Sequence, residues 1–362
     1  MEFALSEDQL MVRDSLSGVL ASASALDEVR KVADGDGGAR ARISDAVGAL
    51  GLGSMLVPET LGGLGLGLLD AVVVQEQLGG AVAPVPFLGR SVMVPAAIAR
   101  AGTADGRAEW FGRIANGEVR FAVALMEQIG AREDAGLVAD DGRLTGKVLF
   151  AMDVEDASHV LVADRTGRLH ICAMNAADVV ERILTTIDRT RRFSELTFNG
   201  TPTTVLTGET EAGAGADAAI SAGRLMIAAD TLGAGQAMLD KAVAYAMERK
   251  QFGRTIGSFQ AVKHLCAEMV ADLEPCRSLV WHAAHAVDEE MEEAAVMVCL
   301  AKAHLAEVGT FVARTATEVH GGMGFTDLLG LHYWFKRIGA NRQLLGGSEQ
   351  VREHAARLQG WA

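Results

Sequence analysis

The first third of the chain has the apolar spacing of amphipathic helices. Ser6 is followed by two acidic residues, the usual pattern of a helix N-cap and first turn. Apolar residues then recur at helical spacing, at Leu10, Val12, Leu16, Val19 and Leu20. Further helices are predicted over about 40–50 and 68–78, with a glycine-rich turn at 58–67 between them.

The middle and last thirds have different patterns. Short segments rich in β-branched and apolar residues predict strands over 121–125, 144–150, 158–164, 168–174 and 195–200. A linker-like segment follows at 207–216. Long stretches with few helix breakers then predict helices over about 218–248, from 258 into the 280s, over 289–318 and from Leu331 onward.

The order of these elements predicts a mainly α fold with a central β domain. We expect an N-terminal helical domain over 1–117, a small β-barrel domain over 118–206 and a C-terminal four-helix-bundle domain over 207–362. A length of 362 residues is typical of two or three domains.

The charge and the N-terminus exclude some classes of protein. A net charge of −14 disfavours a nucleic-acid binder, because phosphates must be neutralised by Lys and Arg. The first residues lack the basic start and apolar centre of a signal peptide. No apolar stretch reaches the roughly 18 charge-free residues of a membrane span. We therefore expect a cytoplasmic protein without a membrane span.

The cysteines and histidines show no metal-site spacing. None of the four cysteines forms a C-x-x-C pair, and none of the nine histidines lies in an H-E-x-x-H motif. We expect buried thiols and no bound metal.

A cation, an amide and an aromatic residue follow the first bundle helix. Arg249, Gln251 and Phe252 lie close together, and Gln260 follows. Such a group is suited to an anionic, planar ligand, since the planar fork of Arg can donate two hydrogen bonds to a pyrophosphate. A solvated helix end with a packed phenylalanine is the alternative.

Two glycine-rich turns, at 320–325 and 345–350, are further candidates. Glycines let the backbone approach a ligand closely. Simple helix-to-helix connections are the alternative for both turns.

Together these segments resemble the acyl-CoA dehydrogenase family over nearly the whole chain. The family opens with a pattern like FALSEDQLMVRDSL (3–16) and continues with one like LGLGSMLVPETLGGLGLGLLDAVVVQEQLG (50–79). Its bundle carries R-x-x-F-G-x-x-I-x-x-x-Q, present here as RKQFGRTIGSFQ (249–260). The bundle closes with a G-G-x-G turn and a Gly-Thr/Ser loop, present as GGMGF (321–325) and GSEQ (347–350).

The resemblance implies a tetramer or dimer of dimers that binds FAD between subunits. The family desaturates an acyl-CoA between its α and β carbons: a carboxylate takes the α proton and the flavin accepts a hydride. An electron-transfer flavoprotein or a similar acceptor then takes the electrons. The resemblance assigns these residues to the FAD site: Arg249, Gln251, Phe252, Gln260, Glu318, Gly321, Gly322, Ser348 and Gln350.

This chain departs from the family at the catalytic base. Most members carry the base glutamate just before the Gly-Thr/Ser pair, which is Gly346 here, and a minority carry it on an earlier helix, which is Gly223 here. Asp230 is displaced from Gly223 by about 10 Å along the helix, too far for proton transfer. Glu349 is the remaining candidate for a relocated base, and a solvated charge at a helix start is its alternative role.

Other departures affect the flavin site itself. Glu318 stands where the family usually has Gln, and an acid there would repel FAD phosphates unless it is turned away. The family holds the flavin ring with T-E-P and W-I-T segments, and here both hydroxyl residues are replaced, by Met126 and Met152.

Three hypotheses follow. The first is that the chain resembles the subunit without a base in bacterial, heteromeric steroid-type acyl-CoA dehydrogenases, and completes the site of a Glu-bearing chain. The second is an autonomous homo-oligomer with Glu349 as base. The third is a flavin-binding or structural relative without turnover. Small residues along the first bundle helix, such as Gly233, fit either a roomy acyl cavity or tight helix packing.

Overall fold

The computed structural model describes residues 4–130, 135–206 and 211–361 and has the predicted order of helices, strands and helices. The helices of the N-terminal part are α1 (Glu7–Ala23), α2 (Leu26–Ala33), α3 (Gly37–Gly48), α4 (Leu68–Gly80), α5 (Val94–Ala101) and α6 (Ala104–Ala115). A π-helical turn, Leu88–Met93, leads into α5. The predicted N-cap of α1 is confirmed, because the Ser6 hydroxyl accepts a hydrogen bond from the Gln9 N–H.

The middle of the chain forms one sheet. Its strands are β1 (Phe121–Ala124), β2 (Gly136–Asp140), β3 (Arg143–Met152), β4 (His159–Ala163), β5 (Leu169–Ala173), β6 (Val179–Leu184), β7 (Phe193–Pro202) and β8 (Thr204–Leu206). The order is β6-β7-β3-β1-β4-β5-β8, with β2 beside β3. β1 and β4 are parallel, and the other neighbours are antiparallel. This confirms the central β domain; within the described residues its end strands, β6 and β8, do not pair with each other.

The last part of the chain is a helical bundle with a small hairpin. Its elements are α7 (Ala214–Glu248), β9 (Lys250–Gln251), β10 (Arg254–Thr255), α8 (Gln260–Asp288), α9 (Ala294–His320), α10 (Leu331–Gln343) and α11 (Ser348–Leu358). α7 packs against α8, α9 and α10, and α11 packs against α9. The predicted mainly helical fold is therefore confirmed.

Some elements do not follow from the apolar pattern. The sequence pattern does not predict α2, α6, β2, β6 and β8; in β6, for example, four of six residues are exposed, so an apolar alternation is missing. The last helical segment is divided into α10 and α11, because Leu345 and Gly346 have φ values of +56° and +107°. Residues 207–210 of the predicted linker lie outside the described residues, and α7 begins at Ala214.

α4 and α7 touch backbone to backbone. A Cβ atom at Gly233 would overlap the carbonyl oxygen of Glu76, and one at Gly79 would overlap the carbonyl oxygen of Asp230. Any side chain at either glycine would force the two helices apart. The small residues at this crossing therefore serve tight packing rather than a roomy cavity.

One stretch of the described residues, Ala294–Phe325, is long and apolar enough to cross a membrane by length and composition. Its mean hydropathy is 1.5, but 56% of its most apolar window is buried inside the protein. The stretch includes α9, which packs against α7, α8, α10 and α11 and carries Lys302 and Glu307. Burial in the bundle accounts for its apolar composition.

Candidate functional site

A short hairpin follows α7 and presents Phe252 to solvent. β9 and β10 pair through a turn in which Phe252 and Gly253 have φ values of +53° and +78°. The Phe252 side chain is 91% exposed, with its ring centroid 6.1 Å from that of Phe259. The Arg254 guanidinium lies 4.0 Å from the Phe259 ring centroid and so holds the base of the hairpin. Phe252 is therefore displayed rather than packed in a core.

The glycine turn after α9 lies at the same end of the bundle. Tyr245, near the end of α7, stacks on His320 at 4.6 Å between ring centroids, and His320 Nδ1 is 2.7 Å from the Ala316 carbonyl oxygen. Burial lowers the pKa of His320, which favours the neutral ring in this stack. The sequence does not predict this pair, because a buried His that faces an aromatic residue on another helix has no sequence signal.

The structure thus brings seven of the nine predicted FAD residues to one end of the bundle, which we call the hairpin end. They are all exposed: Arg249, Gln251, Phe252, Gln260, Glu318, Gly321 and Gly322. A Cβ atom at either of the two glycines would have no atom within 4 Å. The backbone there is open to a close approach by a ligand.

The two base positions lie together at the other end of α7. A Cβ atom at Gly223 would lie 2.5 Å from Leu345 Cδ1 and 2.8 Å from Met93 Sδ. Leu345 is fully buried, and the carbonyl oxygen of Leu345 accepts a hydrogen bond from Arg224 Nε at 2.9 Å. Gly346 has a φ of +107°, which strains any residue with a side chain. A side chain at Gly223 would have to displace the ends of the Leu345 and Met93 side chains, and one at Gly346 would strain the backbone.

Two buried basic side chains, Arg224 and Lys302, hold the loop that contains Gly346. Lys302 Nζ lies 3.1 Å from the carbonyl oxygen of Gly346 and 3.3 Å from that of Arg342. Arg224 is 6% exposed and Lys302 is 1% exposed, and neither forms an ion pair with a described carboxylate. Burial, with Arg224 nearby, lowers the pKa of Lys302 to about 7.

The depressed pKa of Lys302 predicts a pH-dependent stability. Between its folded value of about 7 and an unfolded value near 10.4, the unfolded chain binds more protons, so stability rises with pH. We expect the wild type to gain about 2 kcal/mol between pH 7 and 9 relative to Lys302→Met. Urea unfolding at both pH values measures this gain.

A control on the same bundle is Lys263→Met, since Lys263 is exposed on α8. This variant should keep the pH dependence of the wild type. An identical pH dependence in wild type and Lys302→Met would contradict the prediction.

The remaining predicted residues lie on α11, beside the base positions. The Ser348 hydroxyl is buried and has no hydrogen-bond partner among the described residues. Gln350 Nε2 donates to the carbonyl oxygen of Ile129 in the sheet domain. Glu349 is exposed on the first turn of α11, so the structure does not direct it into a closed site. Arg249 and Gly223 are about 39 Å apart along α7, so the two groups of residues cannot bind the same phosphate.

The sheet domain lacks hydroxyl groups at both positions where the family has them. Met126 is half-buried and Met152 is 4% exposed. The Phe150 ring, 40% exposed, meets the Phe193 ring at 6.2 Å between centroids. This surface offers apolar contacts to a flavin ring but no hydroxyl donors, whereas the hairpin end offers an Arg, an aromatic ring and open glycines. The groups suited to a phosphate thus lie at the hairpin end, not on this surface of the sheet domain.

Asp230 belongs to a buried polar network. Its carboxylate is fully buried and contacts Arg337 and Arg191 at 3.2 and 2.8 Å, and it accepts hydrogen bonds from Gln75 and Asn341 at 2.8 and 2.7 Å. Both of its oxygens are engaged and two arginines pair with it, so it has no role as a free base. Among the residues that the structure describes, no cluster of His, Cys, Asp and Glu could hold a metal ion.

Comparison with known proteins identifies the family. The model of the acyl-CoA dehydrogenase N-terminal domain matches residues 6–118, and that of the C-terminal domain matches residues 214–359. Acyl-CoA dehydrogenase IpdE2 of Mycolicibacterium smegmatis is 27% identical over 361 residues, which cover 98% of this chain and 100% of the relative.

Two solved structures combine the same fold with detectable sequence similarity. The Tcur3481-Tcur3483 steroid ACAD G363A variant has a TM-score of 0.86 and 26% identity, and covers 98% of each chain. The ChsE4-ChsE5 complex from Mycobacterium tuberculosis has a TM-score of 0.85 and 26% identity, and covers 100% of each chain. The chain belongs to the acyl-CoA dehydrogenase family, whose cofactor is FAD.

Proposed function

We propose that this chain is the partner without a catalytic base in a heteromeric, FAD-dependent acyl-CoA dehydrogenase. The observation that carries the proposal is the packing at Gly223, where Leu345 and Met93 occupy the space that a base would need. The exposed hairpin end, in contrast, keeps the side chains that resemble an FAD site. The relatives named after paired chains, Tcur3481-Tcur3483 and ChsE4-ChsE5, support a two-chain enzyme.

In this proposal the hairpin end completes a flavin site on a Glu-bearing chain. Arg249 donates to the pyrophosphate, Phe252 packs on the adenine, and Gly321 and Gly322 let the backbone approach. Glu318 is exposed, so its carboxylate can turn away from the phosphates. FAD supplies the hydride acceptor for α,β-desaturation of the acyl-CoA, and the partner chain supplies the base.

The proposal extends to the setting of the enzyme. We place it in the cytoplasm, in lipid or steroid breakdown, with an electron-transfer flavoprotein or a similar acceptor taking the electrons. The word steroid in the name of one structural relative supports a bulky acyl group. The homo-oligomeric alternative relies on Glu349 as its base, and Glu349 is exposed on the first turn of α11 in the single chain.

Co-expression tests this function. We expect the chain to purify without flavin absorbance when expressed alone, and to co-purify with FAD when expressed with a Glu-bearing acyl-CoA dehydrogenase chain from the same host. The acyl-CoA should bleach the flavin of the pair. A pair in which the partner's glutamate is replaced by glutamine should bind FAD without bleaching. Flavin binding and bleaching by this chain alone would refute the proposal.

A further inference from the structure

A polar pocket lies where α2, the loop after β6 and the start of α10 meet. Its volume is about 230 Å³, which exceeds the roughly 150 Å³ that hold a benzene molecule. Its wall includes none of the predicted FAD residues and neither Gly223 nor Gly346. This polar pocket therefore has room for a small organic molecule at a place that the proposed function does not use.

Some charged side chains of the polar pocket are already paired. Asp188 accepts a hydrogen bond from Arg337, and Arg30 Nη2 donates to the Asp327 carbonyl oxygen at 2.6 Å. The Asp327 carboxylate lies 3.7 Å from Arg30 Nε and 3.4 Å from His332 Nε2. Burial lowers the pKa of His332, which favours the neutral ring. These groups leave little net charge of their own.

Three further charged side chains line the polar pocket: Asp34, Arg189 and Lys336. None of them forms an ion pair or a side-chain hydrogen bond with another residue that the structure describes. They come from three separate segments, and their opposite charges do not pair across the pocket. Asp34 would repel a simple anion, and Arg189 and Lys336 would repel a simple cation. A ligand gains from all three only if it carries two negative groups and one positive group.

Tyr333 adds a neutral donor to the polar pocket. Its side chain is 8% exposed, and its hydroxyl forms no hydrogen bond with a described residue. The hydroxyl oxygen nevertheless keeps accessible surface, so a ligand can reach it. Burial, with the carboxylates of Asp327 and Asp34 nearby, raises the pKa of Tyr333, while Arg30 and Arg189 act in the opposite direction. The hydroxyl therefore lies among these charges, keeps its proton at neutral pH and can donate to a carboxylate.

The wall and the charges together define the class of ligand. Ala33 is the one aliphatic side chain among the described residues of the wall, so an apolar group would gain little. An acidic α-amino acid has the matching set of two carboxylates and one ammonium group. We propose that the polar pocket binds a free acidic α-amino acid, with its carboxylates at Arg189, Lys336 and the Tyr333 hydroxyl and its ammonium group at Asp34.

Three compounds of similar size test this site on the intact chain, without FAD or a second chain. L-glutamate has all three charges, L-glutamine lacks the side-chain carboxylate, and N-acetyl-L-glutamate lacks the ammonium group. The reporter is the ring resonance of Tyr333 in protein with ¹³C-labelled tyrosine. The chain has 2 tyrosines, so a Tyr245→Phe variant assigns the spectrum, and Tyr245 at the hairpin end is the internal reference.

We expect a saturable shift of the Tyr333 resonance with L-glutamate at constant pH and ionic strength, and an unchanged Tyr245 resonance. Because Asp34 and Arg189 are exposed and partly screened by water, the other two compounds should bind about threefold to fivefold more weakly. Higher salt should weaken the binding of L-glutamate.

Variants locate the interaction. Asp34→Asn should remove the preference for L-glutamate over N-acetyl-L-glutamate, and the double variant Arg189→Gln with Lys336→Gln should remove the preference over L-glutamine. Asp105→Asn is the control, because Asp105 is exposed at the start of α6 and does not line the pocket, so it should keep both preferences. Equal affinity for the three compounds would overturn the charge assignment. The absence of a saturable Tyr333 shift, or an equal shift at Tyr245, would show that the polar pocket is not an amino acid site.

Discussion

Replacing Arg337 with methionine is expected to lower the free energy of unfolding by about 3–5 kcal/mol, because two buried carboxylates each lose a directly bonded counter-charge and keep only Arg191 nearby. Arg337 Nε donates to Asp188 Oδ2 at 2.8 Å, and Arg337 Nη1 donates to Asp230 Oδ2 at 3.2 Å. All three side chains are at most 1% exposed, so water cannot replace the lost contacts. Urea unfolding at pH 7, followed by circular dichroism, measures the change.

The difference in free energy of unfolding between wild type and Arg337→Met should become smaller at acidic pH. Burial opposes the ionisation of Asp188, but Arg337 and Arg191 outweigh it and hold the pKa of Asp188 below its ordinary value. A carboxyl with a depressed folded pKa contributes stability above its unfolded pKa, near 3.9, and loses it as the pH falls through the folded value. The Arg337→Met variant lacks this contribution. The difference in free energy of unfolding between wild type and variant should therefore be largest near neutral pH and become smaller below about pH 4.

The matched control is Arg352→Met. Arg352 pairs with Glu307 at 2.6 Å, but both side chains are 47% exposed. Exposed pairs of this kind contribute at most about 1 kcal/mol. If Arg337→Met and Arg352→Met lowered the free energy of unfolding by similar amounts, the buried network would not stabilise the fold as described.

Replacing Phe252 with serine is expected to lower the affinity of the proposed heteromer for FAD by about tenfold, because the proposed function places this ring on the adenine. The stability of the chain itself should hardly change, since Phe252 is 91% exposed and belongs to no core cluster. Fluorescence titration of the apo-heteromer with FAD measures the first effect, and thermal unfolding of the single chain measures the second.

The control for this experiment is Ile187→Ser, which removes an apolar side chain that is 63% exposed and lies in the loop after β6. FAD affinity should not change in that variant. An unchanged FAD affinity in Phe252→Ser would mean that the hairpin does not face a flavin, whatever the composition of the heteromer.

The long elements of the fold could be predicted because their burial repeats along the chain. α7, α8 and α9 each bury a face over seven or more turns. The helical spacing of their apolar residues therefore stays recognisable even where single positions depart from it. β6 could not be predicted, because it lies at the sheet edge with most of its residues exposed. The break between α10 and α11 depends on the backbone of Leu345, whose positive φ is not typical of leucine.

The candidate site could be predicted only in part. The sequence motifs indicated the residues of the hairpin end, because Arg249 and Phe252 have the spacing of the R-x-x-F-G motif. That Leu345 and Met93 fill the space above Gly223 could not be predicted, since three distant segments meet there.

The backbone contact between α4 and α7 has a consequence for assembly. With Gly79 and Gly233 in direct contact with the facing helix, α7 can neither roll nor slide without a clash between main-chain atoms. α7 therefore keeps a fixed distance of about 39 Å between the region around Gly223 and the hairpin end. In the proposed heteromer, the spacing between the Gly223 region and the hairpin is thus set by main-chain geometry and is insensitive to most side-chain substitutions.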